Sequence, residues 1–222
     1  MYEVKKDSKN ETTALTKAVE EVVNSTMLFI KDFSPEFVSA KFRAEPKVER
    51  KIVSEFIKKV IFCVWKTHGV SSLVTCTSSS GLVLILVFKN YVLKIACEDS
   101  YEKMKLAHQK LPDSPYLSKI LESNDEFMYT VEEVIDPIAF EFELKPKYKN
   151  RKEQLINDIK KAIYEFQKCG LCHADLRLDN IGYKASTNTF ALFDYNSCKM
   201  LTPQNKDIDM HMFVESMSYY IV

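Results

Sequence analysis

The spacing of apolar and polar positions divides the chain into a helical first part, a strand-rich middle and a mostly helical last part. Apolar residues recur every three or four positions over 12–30 and 46–68, which predicts two amphipathic helices. Pro35 interrupts the pattern between them, and Gly69 follows the second helix. The apolar stripes are Leu15, Val19, Val22, Val23, Met27 and Ile30 in the first helix, and Val48, Ile52, Phe56, Val60 and Val64 in the second.

From residue 70 the pattern changes to short runs rich in β-branched residues. The runs SSLVTC at 71–76, GLVLILVF at 81–88 and YVLKIA at 91–96 predict three successive antiparallel strands. Lys89 and Asn90 separate the last two runs and predict a tight hairpin, because Asn tolerates a positive φ.

Beyond these strands the pattern predicts a helix, two more strands and an extended connector. The helix covers residues 98–111 and ends at Pro112, which disfavours helical backbone before it. The strand candidates lie around 116–122 and 126–134, and the polar stretch EEVIDP then continues in an extended form.

The last part of the chain is again helical, with one strand inserted. Residues 151–170 place Leu155, Ile159, Ile163 and Phe166 on one helix face, with Gly170 at the end. TFALFDYN at 189–196 predicts a strand that ends in a carboxylate, and residues 206–222 predict a final helix. This order predicts an α+β domain with two lobes. The expected parts are a helical extension (1–68), a strand-rich lobe (69–134) and a helical lobe (135–222).

Composition narrows the classes of protein to consider. Of 222 residues, 46% are apolar, which is enough for a core. Lys+Arg and Asp+Glu both number 31, and this balance argues against a general nucleic-acid binder. No apolar run reaches membrane-spanning length, and the start lacks the apolar region of a signal peptide. We therefore expect an intracellular protein, cytoplasmic or nuclear, without a membrane contact.

The six cysteines do not form a recognisable metal or disulfide pattern. Only Cys169 and Cys172 are close together, and no second pair completes a zinc site. A redox dithiol is the alternative, but the pair leads into a polar loop rather than opening a helix. Reduced, buried thiols are the expectation.

The stretch CHADLRLDNIGY at 172–183 concentrates the polar groups that chemistry would need. Phosphoryl transfer requires a carboxylate that orients the attacking hydroxyl and hard oxygen ligands for Mg²⁺. Asp175 meets the first need, and Asn180 together with Asp194 meets the second. Arg177 is placed to bring positive charge to a phosphate, or to hold the loop by pairing with Asp194 or a carbonyl.

Lys94 interrupts the apolar strand YVLKIA. A buried lysine is unfavourable without a partner, so pairing with a phosphate and with a helix carboxylate would account for it. A lysine that extends to solvent from an edge strand is the alternative.

These motifs together resemble the protein-kinase-like superfamily. HADLRLDN resembles the catalytic loop H-x-D-L-[KR]-x-x-N, FDYN resembles D-F-G, and YVLKIA is similar to the V-A-I-K strand. All of them occur in family order between residues 70 and 215. The resemblance implies a two-lobed kinase fold that binds ATP and Mg²⁺ and transfers the γ-phosphate to a Ser/Thr hydroxyl.

The resemblance also implies further site residues. Glu102 would pair with Lys94, with Glu98, one helical turn away on nearly the same face, as the alternative. Asp209 would support the catalytic loop from behind. His173 would pack and form a hydrogen bond near the magnesium motif rather than act as a base. The phosphates would lie against Ser79, Ser80 and Gly81, and the backbone of VEEV, at Glu132 and Val134, would hold adenine.

The chain departs from the family pattern at three places. CTSSSG has one glycine, Gly81, where a G-x-G-x-x-G loop is expected. Asn196 stands where D-F-G has its glycine, and after glycine Asn is the residue that most readily adopts a left-handed backbone conformation. No A-P-E motif follows Asp194, so the helical lobe resembles the shortened one of RIO-type and other small atypical kinases.

Three functions therefore remain open. The first is a small atypical kinase that acts on a protein, and the second is a pseudokinase that acts as a binding or regulatory module. A small-molecule phosphotransferase of the aminoglycoside or choline type is the third, and it fits the short helical lobe least well. A shortened lobe predicts an apolar surface around Met210, Phe213 and Met217, which would favour a dimer or a protein partner.

Overall fold

The computed structural model describes residues 8–30, 50–79, 83–140 and 143–218. It is a mixed α+β structure, as the sequence predicts. The chain divides into two compact units, Met1–Cys97 and Glu98–Val222. The boundaries expected after residues 68 and 134 stay predictions.

Within the described ranges, the first unit contains two helices and three strands. They are α1 (Ser8–Ile30), α2 (Arg50–His68), β1 (Leu73–Ser79), β2 (Val83–Phe88) and β3 (Val92–Ala96). β2 pairs antiparallel with β1 on one side and with β3 on the other, which confirms the three predicted strands. No helix in the described ranges is both long and apolar enough to cross a membrane.

The buried face of α2 differs from the predicted stripe. Ile52 is 53% exposed, whereas Val53 and Ile57 are buried. Val60 and Val64 are buried as expected. The prediction is wrong at Ile52 because α2 is apolar over a wide arc, so that two neighbouring stripes satisfy the same spacing. Phe56 is half-buried, and Val48 lies outside the described residues.

The hairpin between β2 and β3 is confirmed, but its predicted backbone conformation is not. The loop consists of Lys89 and Asn90, and the Phe88 N–H donates to the Tyr91 carbonyl at 2.9 Å. Asn90 is not among the described residues with positive φ. The loop therefore closes without the left-handed conformation that Asn would tolerate.

In the part of the chain that the structure describes, the second unit contains three helices and short antiparallel pairs of strands. The elements are α3 (Glu98–Lys110), β4 (Ile120–Asn124), β5 (Tyr129–Glu132), β6 (Asp136–Pro137), β7 (Ala139–Phe140), β8 (Glu143–Leu144), α4 (Lys152–Lys168), β9 (Leu171–Cys172), β10 (Ile181–Lys184), β11 (Thr189–Leu192), β12 (Lys199–Met200) and α5 (Ile208–Ser218). β4 begins four residues later than predicted, because residues 116–119 form a turn and an isolated bridge. β10 lies in a stretch where no strand was predicted.

The core of the second unit forms around α4. Leu155, Ile159, Ile163 and Phe166 are buried on one face of this helix, as their spacing predicts. The helix ends at Lys168, and Gly170 follows with φ of 72°, a conformation that glycine adopts without strain. The chain then enters the polar loop that contains the candidate site.

The expected apolar surface on the last helix is not present. Phe213 and Met217 are buried in the core of the second unit, and Met210 packs against it. The apolar residue that α5 exposes is Val214. The prediction of exposure is wrong, because the α5 side chains cover core residues of the same unit. The partner or dimer itself stays an expectation.

Gly182 marks the closest packing in the second unit. β10 pairs with β11 on one side and with β6 on the other. A Cβ on Gly182 would lie 2.1 Å from Ile135 Cγ2 and 3.2 Å from the Asp136 carbonyl oxygen. Only glycine fits there, and Asn180 precedes it by two residues.

We expect Gly182→Ala to lower the free energy of unfolding by about 1–3 kcal/mol, because the methyl group overpacks the β6–β10 contact. The midpoint of urea unfolding measures this loss. Gly170→Asn is the control, since a Cβ there meets nothing within 4 Å and Asn tolerates left-handed φ. Equal midpoints for Gly182→Ala and the wild type would show that the contact is looser than the structure indicates.

Asp136 anchors the connector that leads into α4. Its carboxylate accepts hydrogen bonds from Lys145 at 2.8 Å, and from Lys147 and Tyr148 at 2.5 Å each. Burial alone would raise the pKa of Asp136, but these three bonds outweigh it and lower the pKa from 3.8 to about 2. The ionised form is therefore the one that stabilises the fold.

We expect Asp136→Asn to lower stability at pH 7, with a difference from the wild type that shrinks in acid. Because the pKa of Asp136 is lower in the folded state, its contribution is complete above the unfolded pKa of 3.8 and is lost as the pH falls towards about 2. Urea unfolding of both proteins between pH 7 and pH 2.5 measures the difference. A difference in unfolding free energy between the two proteins that does not change with pH would contradict the lowered pKa of Asp136.

Candidate active site

His173 begins the candidate site as a fully buried side chain. Its Nε2 donates to the Phe193 carbonyl at 2.9 Å, and its ring packs between Phe166 and Tyr195 with centroid distances of 5.6 and 5.9 Å. Its Nδ1 is buried without a partner. A neutral imidazole with the proton on Nε2 satisfies these contacts. The buried side chain therefore holds Phe193 in position.

Asp209, in the first turn of α5, supports the loop from behind. Its two carboxylate oxygens accept the backbone N–H groups of His173 and Ala174 at 2.8 Å each, and the residue is 1% exposed. Ala174 has φ of 61°, which is unfavourable for a residue with a Cβ. The two charge-assisted hydrogen bonds hold the backbone in this strained turn. The contact expected of Asp209 is therefore present.

Asp175 follows this turn and is held by two neighbours. Arg177 donates from Nε to Oδ1 at 2.9 Å and from Nη2 to Oδ2 at 3.3 Å. Asn180 donates from Nδ2 to Oδ2 at 2.9 Å and to the Asp175 backbone carbonyl at 2.7 Å. The side chain of Asp175 is 25% exposed, so its carboxylate remains accessible from solvent. Arg177 thus pairs with Asp175 and not, as one alternative had it, with Asp194.

The same bonds determine the orientation of the Asn180 amide. Both protons of Nδ2 are directed at Asp175, so Oδ1 faces away from it. Oδ1 accepts no hydrogen bond from any residue in the described ranges. It is a hard oxygen of the kind that Mg²⁺ binds.

Phe193 connects Asn180 to Asp194. Its backbone N–H donates to the Asn180 carbonyl at 3.0 Å, while its carbonyl accepts the His173 proton. Asp194 comes next in the chain, is 8% exposed and has φ of 67°. The structure therefore brings together the backbones that carry Asn180 and Asp194.

Asn196 does not adopt the left-handed conformation that its place in FDYN suggests. It lies in a short 3₁₀ turn, Tyr195–Ser197, and is not among the described residues with positive φ. The left-handed residue is Asp194, two positions earlier. The prediction is wrong because the change in chain direction occurs at the end of β11, before the 3₁₀ turn begins.

Tyr195 fixes the other side of Asp194. It is fully buried, and its hydroxyl lies 2.8 Å from the Ser118 carbonyl and 3.0 Å from the Leu192 carbonyl. Burial raises the pKa of Tyr195 well above its usual value, and the negative charge of Glu132 raises it further. The phenol therefore stays protonated and keeps donating to these carbonyls.

The connector expected to hold adenine contains one residue that the sequence analysis missed. Glu132 is buried and Val134 is 44% exposed. Glu133, between them, accepts hydrogen bonds from Lys184 Nζ at 2.6 Å and from the Lys119 N–H at 2.7 Å. Val134 makes no backbone hydrogen bond within the described ranges, so its peptide groups are available to a ligand.

The remaining candidates lie apart from the loop in the sequence. Lys94 is 3% exposed in β3 of the first unit, opposite Ile85 of β2. Ser79 is the last residue of β1, and Ser80 and Gly81 lie outside the described residues. Glu102 is an exposed residue of α3 in the second unit. The contacts described above join Asp175, Arg177 and Asn180, and the role of the other candidates stays a prediction.

The cysteines are free thiols, as expected, and three of the six are buried. Burial raises the pKa of Cys198 to about 12, and burial followed by the charge of Asp209 raises that of Cys172. Neither is a reactive thiolate at neutral pH. No group of three or more His, Cys, Asp or Glu side chains in the described ranges is arranged to hold a metal ion.

Comparison with known proteins does not indicate a family or a function for this chain. No family model matches the chain, and the search of curated proteins found no significant match.

We expect Asp209→Asn to lower the free energy of unfolding by about 1–3 kcal/mol. The Asn oxygen can accept a hydrogen bond from only one of the two backbone N–H groups. The Asn NH₂ group then faces the other backbone N–H, so that two donors meet without an acceptor. Thermal or urea unfolding measures the loss. Asp207→Asn, the same change at an exposed position two residues earlier, is the control and should leave stability within about 0.5 kcal/mol. Equal losses in both variants would contradict a special role for Asp209.

Proposed function

We propose that the protein is a phosphotransferase of the protein-kinase type, which transfers the γ-phosphate of ATP to a Ser/Thr hydroxyl. One observation carries this proposal. Phe193, the residue before Asp194, donates its N–H to the Asn180 carbonyl and accepts a hydrogen bond from His173. Asp209 accepts two further hydrogen bonds from behind the loop that carries Asp175. A framework of this kind keeps two carboxylates and an amide oxygen in constant geometry, which phosphoryl transfer requires.

The polar groups of the framework fit a bound Mg²⁺. Magnesium is held in such sites by one or two protein oxygens, with phosphates and water completing its shell. Asn180 Oδ1 and the Asp194 carboxylate are two such oxygens, so a cluster of three acidic residues is not needed. The metal, when bound with ATP, would neutralise charge that develops on the phosphates.

Asp175 and Arg177 would act on the acceptor and the phosphate. The partly exposed carboxylate of Asp175 would accept a hydrogen bond from the acceptor hydroxyl and orient it. Arg177 lies against that carboxylate with 46% of its side chain exposed, so its charge can also reach a phosphate oxygen.

The remaining nucleotide contacts follow from the resemblance to kinases and are part of the proposal. Lys94, with Glu102, would orient the phosphates, and the backbone of residues 79–81 would cover them. The backbone of residues 132–134 would hold adenine, and the unused peptide groups of Val134 support this. The two-lobed kinase arrangement of the chain is likewise proposed.

A pseudokinase is the second candidate, and the pairing of Asp175 favours it. Arg177 and Asn180 together donate to both oxygens of that carboxylate. If these bonds persist in the presence of a substrate, the carboxylate is a weak acceptor for a hydroxyl proton. The chain would then bind nucleotide without transferring phosphate.

Thermal unfolding with ATP, with and without Mg²⁺, distinguishes the two functions when combined with an assay of phosphate transfer. We expect saturating Mg-ATP to raise the melting temperature by about 5 °C or more, and Asp194→Asn to remove the part that depends on the metal. Asp175→Asn should keep the rise, while transfer of labelled γ-phosphate to the chain itself or to Ser/Thr peptides falls by about 10²–10⁴-fold.

Asp207→Asn is the matched control and should retain both the rise and the transfer. A metal-dependent rise without transfer by the wild type would favour the pseudokinase. No rise with Mg-ATP would overturn both nucleotide-binding functions.

A further inference from the structure

A groove of about 580 Å³ runs along β1 in the first unit, and no residue of the candidate active site lines it. One wall is the continuous stretch of residues 70–76, which includes the first half of β1. The opposite wall is a face of α1, and Trp65 of α2 completes the lining. The α1 residues that line it are Ala18, Glu21, Val22 and Ser25.

β1 is an edge strand whose outer side faces this groove. Within the described ranges it pairs with β2 alone. Every second residue of a strand in an antiparallel pair directs its N–H and C=O away from the partner strand. The outer edge of β1 therefore presents a row of backbone donors and acceptors to whatever enters the groove.

The edge has little of the protection that natural edge strands carry. Charged residues and proline usually block such edges, yet residues 70–79 contain neither. Val70 and Val74 are 58% and 66% exposed beside the groove. Partial protection comes from an irregularity in the pairing with β2 between Leu73 and Thr75 and from α1, which forms a wall of the groove.

Ser71 supplies an independent sign that the groove is incomplete. It is 5% exposed and lines the groove, and its Oγ has no hydrogen-bond partner in the structure. A buried hydroxyl without a hydrogen-bond partner costs free energy relative to one that has a partner. The Oγ atom is itself shielded from solvent, so a rotation of the Ser71 side chain towards the groove would let a polar backbone group of an occupant satisfy it.

The charge of the lining indicates what kind of segment would fit. Glu21 is the one charged residue of the lining, is exposed, and forms no ion pair within the described ranges. The remaining lining residues are small, hydroxylated or apolar. An occupant should therefore carry one basic side chain and otherwise uncharged ones.

We propose that this groove binds an extended segment of a partner protein, which adds to the sheet as a strand along β1. Side chains on one face of the segment would contact Val70, Val74 and Trp65, and a Lys or Arg would reach Glu21. At about 3.3 Å per residue, a segment of roughly seven residues matches residues 70–76. This inference is independent of phosphate transfer, because it uses no residue of the candidate active site.

Selection from a library of random nine-residue peptides on the immobilised full-length protein tests the proposal. We expect enriched sequences in which β-branched or apolar residues alternate with polar ones and one Lys or Arg recurs. A synthetic peptide of the enriched sequence should protect backbone amides of residues 73–77 from hydrogen exchange, since strand addition engages the outward N–H groups.

Two substitutions at exposed positions then test the site. Val74→Lys introduces the charge that normally protects an edge, and Glu21→Lys reverses the charge of the lining; each should weaken binding of the peptide at least tenfold. Glu20→Lys is the matched control, because Glu20 is exposed on α1 but does not line the groove, and it should bind as the wild type does.

Three outcomes would overturn the proposal. Enriched peptides with apolar residues at every third or fourth position would indicate a helix as the occupant. Self-association of the wild type that Val74→Lys abolishes would indicate a second copy of the chain. Binding that neither Val74→Lys nor Glu21→Lys weakens would place the peptide elsewhere.

Discussion

One buried carboxylate holds the loop on which the candidate site depends. Asp209 is almost fully removed from water, and a charge in that position is unfavourable unless it is fully hydrogen-bonded. It obtains its bonds from two consecutive backbone N–H groups, those of His173 and Ala174. Consecutive N–H groups point to one acceptor only when the backbone turns sharply, and the left-handed φ of Ala174 is that turn. The charge and the strained backbone therefore stabilise each other, and Asp175 is placed as a consequence.

The rest of the site is assembled mostly through backbone contacts. Asn180 and Asp194 approach because β10 and β11 pair from Ile181 opposite Leu192, and the Phe193 N–H extends that pairing to the Asn180 carbonyl. The close packing of Gly182 against Ile135 holds β10 on its other side. Side chains enter chiefly as supports, with His173 and Tyr195 each bonded to a carbonyl. A site built in this way is sensitive to changes two or three residues from any polar group.

The sequence predicted those parts of the fold that follow from periodicity. α4 repeats its apolar residues over several turns, and the three strands of the first unit are short β-branched runs, so both were identified correctly. Positive φ was assigned wrongly to Asn90 and Asn196, because residue type limits which conformations are allowed but tertiary contacts select among them. Gly182 and Glu133 were missed. An isolated glycine in a run of IGYK was a signal of close backbone approach, whereas the bond between Glu133 and Lys184 joins residues far apart in sequence and left no local pattern.

The two proposed functions, kinase and pseudokinase, would both use this framework and would both retain Asp209, His173 and Tyr195. The observations that favour one function over the other concern Asn180 Oδ1 and the Asp175 carboxylate. Asn180 Oδ1 has no donor in the described ranges, and a hard amide oxygen of this kind suits a metal better than it suits a purely structural role. Oδ2 of Asp175 accepts two hydrogen bonds, but Oδ1 accepts only the one from Arg177 and keeps a further lone pair, and a quarter of the side chain is exposed. The bonds from Arg177 therefore orient the carboxylate without saturating it, and for this reason we place catalysis ahead of binding alone.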